Sequence, residues 1–584
     1  MTMSNPLQIA VGQHTDKGRK AANQDFHGIR IPKEPQLSSK GIAIAMADGI
    51  SSSEVSHLAS QTAVNGFLAD YYCTSEAWSV KLSAQRVLYA TNSWLHAQTR
   101  QSQHRYDRDK GYVCTFSALV IKATTAHLFH VGDTRIYRLR GNALEQLTED
   151  HRYWVSREQS YLGRALGINQ QLEIDYQTVT LEEGDLFVLA TDGVYEHVSD
   201  QFIAQAIHEC ARDRAQDLDA AARRIVDQAL TQGSGDNLTI QIVRIDGLPS
   251  QDANAIYQHV TELPFPPVLD ARMEFEGYRI IRPLHASSRS HAWLAADSDT
   301  GEQVVLKTPA TEHRVDPATL ERFLLEEWIA RRIDNPHVLK PCVLTRRRNY
   351  QYIAMEFIEG QTLVQWMRDH PRPDLKTVRG IIDQIAKGLQ AFHRLEMLHQ
   401  DLRPENVMID GSGTVKIIDF GSTRVAGLAE LEAANAPAPI LGTEQYSAPE
   451  YFLGENGSAR SDIFSLGVIA YQMLTGKLPY GTRVSRSRTR AAQRKLRYAS
   501  ARTGERPIPA WVDEAIAKAV HPDPLKRYEE LSEFVYDLHH PNQAFLKKTR
   551  PPLMERNPVV FWKTVSFLLA VALIVVLSRH PAIT

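Results

Sequence analysis

Residues 399–421 read HQDLRPENVMIDGSGTVKIIDFG. How this stretch is read decides the fold of the second half of the chain. It carries Asp401, Asn406 and Asp419, and short patterns continue outward from it in a fixed order. Upstream lie "YRII", "LHASSRSHAW" (Leu284–Trp293), "EQVVLKTP" with Lys307, "RFLLEEW" with Glu326 and Glu327, and "AMEF" with Glu356. Downstream lie "SAPE" ending at Glu450, "SDIFSLG" with Asp462, and "DPLKRYEEL" with Arg527. A lone DFG triplet carries little information. The ordered series from Leu284 to Arg527 carries much more.

That series resembles the eukaryotic-like serine/threonine protein kinases. Strand-like runs through about Phe357, followed by mostly helical ones to about His540, predict a small sheet-rich lobe joined to a larger helical lobe. Phosphoryl transfer needs cations on the phosphates, a lysine on the nucleotide and a group that orients the acceptor hydroxyl. The resemblance assigns these parts. Lys307 contacts the nucleotide and pairs with Glu326, with Glu327 as the near alternative. Asp401 is the acceptor-side base, and Asn406 and Asp419 hold Mg²⁺. Ser287, Ser290 and Glu356 join the ATP contacts. Glu450 pairs with Arg527, and Asp462 braces the catalytic loop.

Three positions depart from the family. Arg403 replaces the lysine on the γ-phosphate, which keeps charge and changes geometry. Gln400 replaces the arginine that usually holds a phosphorylated activation loop. Residues 424–442, "RVAGLAELEAANAPAPILG", contain no Ser, Thr or Tyr, so no switch by phosphorylation is expected in the middle of that loop. The glycine positions of the nucleotide loop fall at His285, Ser287 and Ser290. Glycine lets backbone N–H groups approach phosphates without a Cβ in the way. Here serine hydroxyls, with Arg289 and His285, are expected to replace part of that contact. Phosphorylation of Ser287, Ser288 or Ser290 would repel ATP.

Residues 1–247 alternate strand-like runs ("GIAIAMADG", "FSALVIKA", "AHLFHVGDTRIYRL", "DLFVLATDG", "NLTIQIVRI") with helical stretches. Aspartates recur at the strand ends: Asp25 in "NQD", Asp48–Gly49 in "ADG", Asp192–Gly193 in "TDG", and Asp236–Asn237 in "SGDN". Any one Asp-Gly is an ordinary turn. As a set, carboxylates without a His or Cys pattern suit Mg²⁺ or Mn²⁺. Two such ions can aim a water at phosphorus. With "VGDTRIY" between them, these patterns resemble the metal-dependent serine/threonine protein phosphatases, whose fold is a β-sandwich flanked by helices. The resemblance implies that Asp48 bridges two metals and the Gly49 carbonyl is a ligand. It further implies that Asp192 and Asp236 complete one site, Asp25 binds through water, and Asp133 supports a third ion. Lys20 stands where the family has a phosphate-gripping arginine, with Arg19 as the alternative. "DGISS" replaces the usual "DGMGG".

The whole is read as a multidomain α+β chain: phosphatase at 1–247, linker at 248–274, kinase at 275–540, juxtamembrane linker at 541–558, transmembrane helix at 559–577, and an exported tail at 578–584. The last elements rest on "VVFWKTVSFLLAVALIVVL", 19 residues with one charge, Lys563. Lys547, Lys548, Arg550 and Arg556 precede it. The positive-inside rule then predicts a single-pass anchor in the cell membrane with the catalytic domains facing the cytoplasm. Four isolated cysteines form neither a metal pattern nor a disulfide framework. A net charge of −2 gives no bulk attraction to nucleic acid, and no such partner is expected. Residues 483–506 hold nine basic residues and one acidic. They read equally as a solvated surface or as a surface that attracts an acidic substrate or an anionic membrane leaflet. The expected partners are protein substrates and phosphoproteins, ATP, and the membrane. The expected activity is bifunctional. The rival readings are a phosphatase with a regulatory pseudokinase and a membrane-bound hub without catalysis.

Overall fold

The computed structural model describes residues 7–154, 160–211, 218–249, 263–287, 290–310, 317–343, 346, 348–428, 445–502, 508–542 and 558–579. Two compact units emerge. One joins Met1–Glu359 with Ala391–His399 and Ile417–Pro439; the other joins Gly360–Gln390, Gln400–Lys416 and Ile440–Thr584.

The first unit opens with twelve strands: β1 (Gln8–Asp16), β2 (Asp25–Arg30), β3 (Ile42–Asp48), β4 (Phe116–Lys122), β5 (Thr125–Val131), β6 (Arg135–Arg140), β7 (Ala143–Gln146), β8 (Arg152–Trp154), β9 (Ser160–Leu162), β10 (Asp175–Thr180), β11 (Leu186–Ala190) and β12 (Leu238–Gly247). Two five-stranded sheets run β1-β12-β11-β6-β7 and β10-β5-β4-β3-β2, and β8 and β9 form a separate hairpin. The sheets are antiparallel throughout. Side chains alternate faces along a strand. Ile42, Ile44 and Met46 of β3 therefore join Leu119, Leu128, Phe187, Leu189 and Val243 in the core between the sheets. The opposite phase of β11 and β12, Val188, Ala190, Ile240 and Ile242, packs under the helices Asp200–Ala211 and Leu218–Thr231. Ala43, Ala45 and Ala47 are all buried on the other phase of β3. Their small size suits the helix Ser56–Asp70, which approaches β2 so closely that a Cβ on Gly28 would lie 2.7 Å from Leu68. This is the helix-flanked sandwich expected from the sequence.

The same unit continues with β13 (Glu274–Phe275), β14 (Tyr278–Ala286), β15 (Ser290–Asp297), β16 (Gln303–Pro309) and β17 (Ile353–Glu356), which form one antiparallel sheet in sequential order. Phe275, Tyr278, Ile280, Leu306 and Tyr352 fill its core. Beside them in sequence is the helix Pro317–Arg332, with Phe323, Leu324, Trp328 and Ile329 buried. The second unit is mostly helical. Its helix Ala459–Thr475 is buried along nearly its whole length, and Ala510–Ala519 and Leu531–His539 follow it.

One expectation is corrected. Residues 558–579 do form a helix, but among the described residues no helix is long and apolar enough to cross a membrane. Lys563, Thr564 and Ser566 interrupt the first half of the stretch. The unbroken apolar run, 567–577, spans only ~16 Å at 1.5 Å per residue, against a hydrocarbon core of about 30 Å. The single-pass membrane placement, the exported tail and the membrane as a partner fall with it. The linker at 250–262, the segment at 543–557 and the tail at 580–584 lie outside the described residues.

Candidate functional sites

The aspartates of the first domain meet because their strands do. Asp25 opens β2 and lies directly opposite Asp48 at the end of β3. Asp192 starts the short helix Asp192–Tyr195 after β11. Asp236 precedes β12, and Asp133 sits in the turn between β5 and β6. Hydrogen bonds tie these ends together. The Asp48 N–H donates to Thr115 Oγ1 (2.9 Å), and Thr115 Oγ1 lies 2.6 Å from Thr134 Oγ1, beside Asp133. The Tyr195 hydroxyl donates to the Asp133 carbonyl (2.9 Å). The Ser234 hydroxyl donates to the Gly193 carbonyl (2.9 Å). Asn237 Nδ2 donates to the carbonyls of Lys17 (2.9 Å) and Ala22 (3.0 Å), while its Oδ1 accepts the Gln24 N–H (2.9 Å).

The carboxylates are held at a cost in charge repulsion. Burial, with the Asp236 charge nearby, pushes Asp25 up to about 6. Burial and the charges of Asp133 and Asp236 push Asp192 up to about 7. Asp48 is raised well above the usual range by burial and by four neighbouring aspartates, and Asp133 is raised by burial. Two oxygens, Asp25 Oδ1 and Asp192 Oδ1, are buried without a hydrogen-bond partner. Such atoms are expensive unless a cation or donor reaches them. At Gly49 an added Cβ would meet the Ser56 backbone at 2.8 Å and the Gln24 carbonyl at 2.9 Å, so no side chain fits beside Asp48. Among the described residues no three His, Cys, Asp or Glu side chains form a ready-made metal centre. Two basic side chains take the carboxylates instead. Arg152, on β8, reaches Asp133 Oδ2 (2.6 Å), Asp192 Oδ2 (2.7 Å) and Glu196 Oε1 (2.6 Å). Lys20 reaches Asp236 Oδ1 (2.8 Å) and donates to Ser51 Oγ (2.6 Å), whereas Arg19 is exposed. Arg152 was not among the residues the sequence singled out, and no motif surrounds it.

In the sheet of β13–β17, Lys307 Nζ lies 2.6 and 2.7 Å from the two oxygens of Glu326 and 3.5 Å from Asp419 Oδ1. Burial alone would lower Lys307, but the charges of Asp419 and Glu326 outweigh it and raise it. Burial would likewise raise Asp419, yet Lys307 and the Gly421 N–H (3.1 Å) bring it down to about 2. Glu327 is not the partner of Lys307; it pairs with Arg348 (2.6 Å) and Arg331 (2.8 Å). Glu356 ends β17 and accepts the Lys340 N–H on its side chain (2.8 Å).

The tip of the β14–β15 hairpin is closed by its own serines. The Ser287 hydroxyl donates to the Ser290 carbonyl (3.0 Å) and accepts the Ser290 N–H (3.1 Å). Ser288 and Arg289 lie outside the described residues, as do 429–444, which hold most of the loop without phosphorylatable residues, and 503–507 in the basic segment. Its described arginines and Lys495 are exposed.

In the second unit Asn406 Nδ2 donates to the Asp401 carbonyl (2.9 Å) and side chain (3.2 Å), and Arg403 Nε lies 3.7 Å from Asp401 Oδ2. Gln400 has a left-handed backbone, φ +64°, and its N–H donates to buried Asp462 (3.1 Å). Arg527 grips Glu450 with two bonds of 2.7 Å, and both are buried.

Comparison with known proteins assigns a family to each part of the chain. The protein phosphatase 2C family matches residues 13–231, and the protein kinase domain family matches residues 281–541. The serine/threonine-protein kinase PrkC of Bacillus subtilis is 27% identical over 263 residues, 45% of this chain and 40% of its own length. Serine/threonine-protein kinases PknA of Corynebacterium glutamicum is 32% identical over 208 residues, 35% of this chain and 44% of its own. The chain thus spans less than half the length of these curated relatives. Among solved structures, the Mycobacterium tuberculosis PknI kinase domain covers 47% of this chain and 99% of its own at 23% identity, with a TM-score of 0.36. The chain therefore carries a protein phosphatase 2C domain followed by a protein kinase domain whose relatives are serine/threonine kinases.

Proposed function

We propose that the chain is bifunctional. Its first domain removes phosphate from phosphoserine and phosphothreonine in proteins, and its second transfers phosphate from ATP to serine or threonine. The observation that carries the kinase half is Lys307, held on Glu326 and against Asp419. That arrangement presents an ammonium for the nucleotide phosphates and keeps Asp419 ionised. By the family resemblance Asp401 would orient the acceptor hydroxyl, Asn406 and Asp419 would each be a Mg²⁺ ligand, and Arg403 would contact the γ-phosphate.

The phosphatase half is supported by the buried, mutually repelling aspartates and the partnerless oxygens of Asp25 and Asp192. This donor set fits Mg²⁺ or Mn²⁺. Asp48, Gly49, Asp192 and Asp236 would hold the ions, with Asp25 and Asp133 beside them. Divalent cations bound there supply positive charge for the phosphate oxygens and lower the pKa of water. Lys20, already within the carboxylate group, would hold the substrate phosphate as a point charge.

The test is phosphoryl transfer from labelled ATP by the full chain carrying Asp192→Asn, which prevents loss of label, with Asp419→Asn added as the control. Label that vanishes in the control supports bifunctionality. Hydrolysis of a phosphopeptide by the parent chain, lost on chelation, supports the phosphatase half. A second reading, a regulatory pseudokinase, is favoured by the glycine-free hairpin whose Ser287 and Ser290 groups bond to each other. Absence of label on the chain and on generic acceptor proteins would select it.

A further inference from the structure

The phosphatase and the sheet-rich part of the kinase lie in one compact unit, and the surface between them is built on the helix that carries Glu326. Successive helix residues point about 100° apart. Glu326 turns to Lys307, while its neighbours turn to the phosphatase. Arg332 pairs with Asp70 (2.6 Å) at the end of the phosphatase helix Ser56–Asp70. Trp328 is fully buried and meets Trp78 edge-on, ring centroids 6.1 Å apart. The Arg86 guanidinium lies over Trp78 at 4.0 Å and also pairs with Glu321 on the kinase helix. Arg348, which holds Glu327, faces Glu76 of the phosphatase at 3.5 Å.

A second contact is independent of that helix. The phosphatase helix Val80–Gln101 abuts the chain just after the DFG triplet. A Cβ on Gly427 would lie 2.5 Å from the Tyr89 carbonyl. Trp94 Nε1 donates to the Arg394 carbonyl (3.1 Å). The phosphatase thus touches two elements that must be ordered for transfer: the helix of the lysine–glutamate pair, and the start of the activation segment.

In many kinases a phosphate on the activation loop does this ordering through an arginine. Here Gln400 stands at the arginine's position, and residues 424–442 offer no hydroxyl. We propose that the phosphatase domain is a built-in clamp for the kinase: its Asp70–Arg86 surface holds the helix Pro317–Arg332 where Glu326 meets Lys307, in place of loop phosphorylation. The clamp rests on the kinase reading above only for its effect on catalysis. Its physical content is the position of one helix.

The experiment uses the full chain in the Asp192→Asn background. It compares Asp70→Arg, Arg332→Asp and the double exchange by hydrogen exchange over residues 317–332 and by transfer from labelled ATP. Each single charge reversal is expected to speed exchange across the helix and to lower transfer at least about tenfold, and the double exchange to recover both to within roughly threefold. The same substitutions in the chain with Asp192 intact are expected to leave phosphopeptide hydrolysis unchanged, which shows the phosphatase still folded. Exchange over 317–332 that stays at the parent rate in both single variants overturns the clamp. So does a double exchange no better than either single. A parent that never transfers label refutes the kinase reading alone; the exchange arm still decides whether the phosphatase holds the helix.

Discussion

Replacing Lys307 by Met removes the cation that holds Glu326. Glu326 is 3% exposed, and its two oxygens lie 2.6 and 2.7 Å from Lys307 Nζ. Breaking one side of a buried pair costs about 3–5 kcal/mol, because the remaining charge stays in a poor solvent. Lys307 keeps 18% exposure, so water relieves part of the penalty and the lower end, about 3 kcal/mol, is expected. Replacing both partners, Lys307→Met with Glu326→Leu, removes the orphaned charge of Glu326; Asp419, 3.5 Å from Lys307, keeps 40% exposure and is solvated by water, so the double variant should lie within about 1 kcal/mol of the parent. The pair therefore predicts a coupling of at least ~2 kcal/mol in a double-mutant cycle. A whole-chain melting point is a poor measure for a two-unit chain. The assay is native-state hydrogen exchange of the amides of β16 and of the helix Pro317–Arg332, which reports local opening free energy. Transfer from ATP should be lost in both variants and phosphopeptide hydrolysis kept. A Lys307→Met penalty below about 1 kcal/mol, or a double variant as unstable as the single, would refute the view of this pair as a buried, mutually dependent charge couple.

Three further outcomes are expected. Arg527→Ala leaves buried Glu450 without its two 2.7 Å bonds from the guanidinium; the helical unit should lose about 3–5 kcal/mol, read by native-state hydrogen exchange of the helix Ala459–Thr475. Gly49→Ala forces a Cβ to within 2.8 Å of the Ser56 backbone, which should cost about 1–3 kcal/mol and weaken Mn²⁺ binding in calorimetry. Burial, and the charge of His151, lower His130 to about 4 from the usual 6.5, and its Nε2 lies 2.9 Å from the Glu149 carbonyl. Folded and unfolded forms are both neutral above pH 6.5. Below it only the unfolded chain takes the proton, so stability falls as pH drops from 6.5 to 4, by up to about 3 kcal/mol. Native-state hydrogen exchange of the β4 and β5 amides, corrected for intrinsic rate, at pH 7.5 and 5 measures this, and His130→Gln should flatten the slope by one proton.

The amino-acid order alone pointed to the two families and supplied the candidate residues of each. Patterns such as "HQDLRPEN", "IIDFG", "ADG" and "SGDN" are local, and their chemistry is written in adjacent residues. The apolar run "GIAIAMADG" likewise announced a strand, while the burial of both its faces emerges only in the fold. The C-terminal stretch misleads, because its total apolarity hides the polar residues that shorten its unbroken run. What only the tertiary structure decided was which side chains meet. Glu326 and Glu327 are equal on paper, and the rotational phase of one helix separates them by about 100°, giving Lys307 to the first and Arg348 to the second. Lys20 and Arg19 were divided in the same way: Lys20 reaches Asp236 and Arg19 faces solvent. Arg152 had no local mark at all, since it reaches Asp133 and Asp192 across 19 and 40 residues of chain. A long side chain spends its charge wherever folding carries it, and no spacing rule in one sequence records that distance.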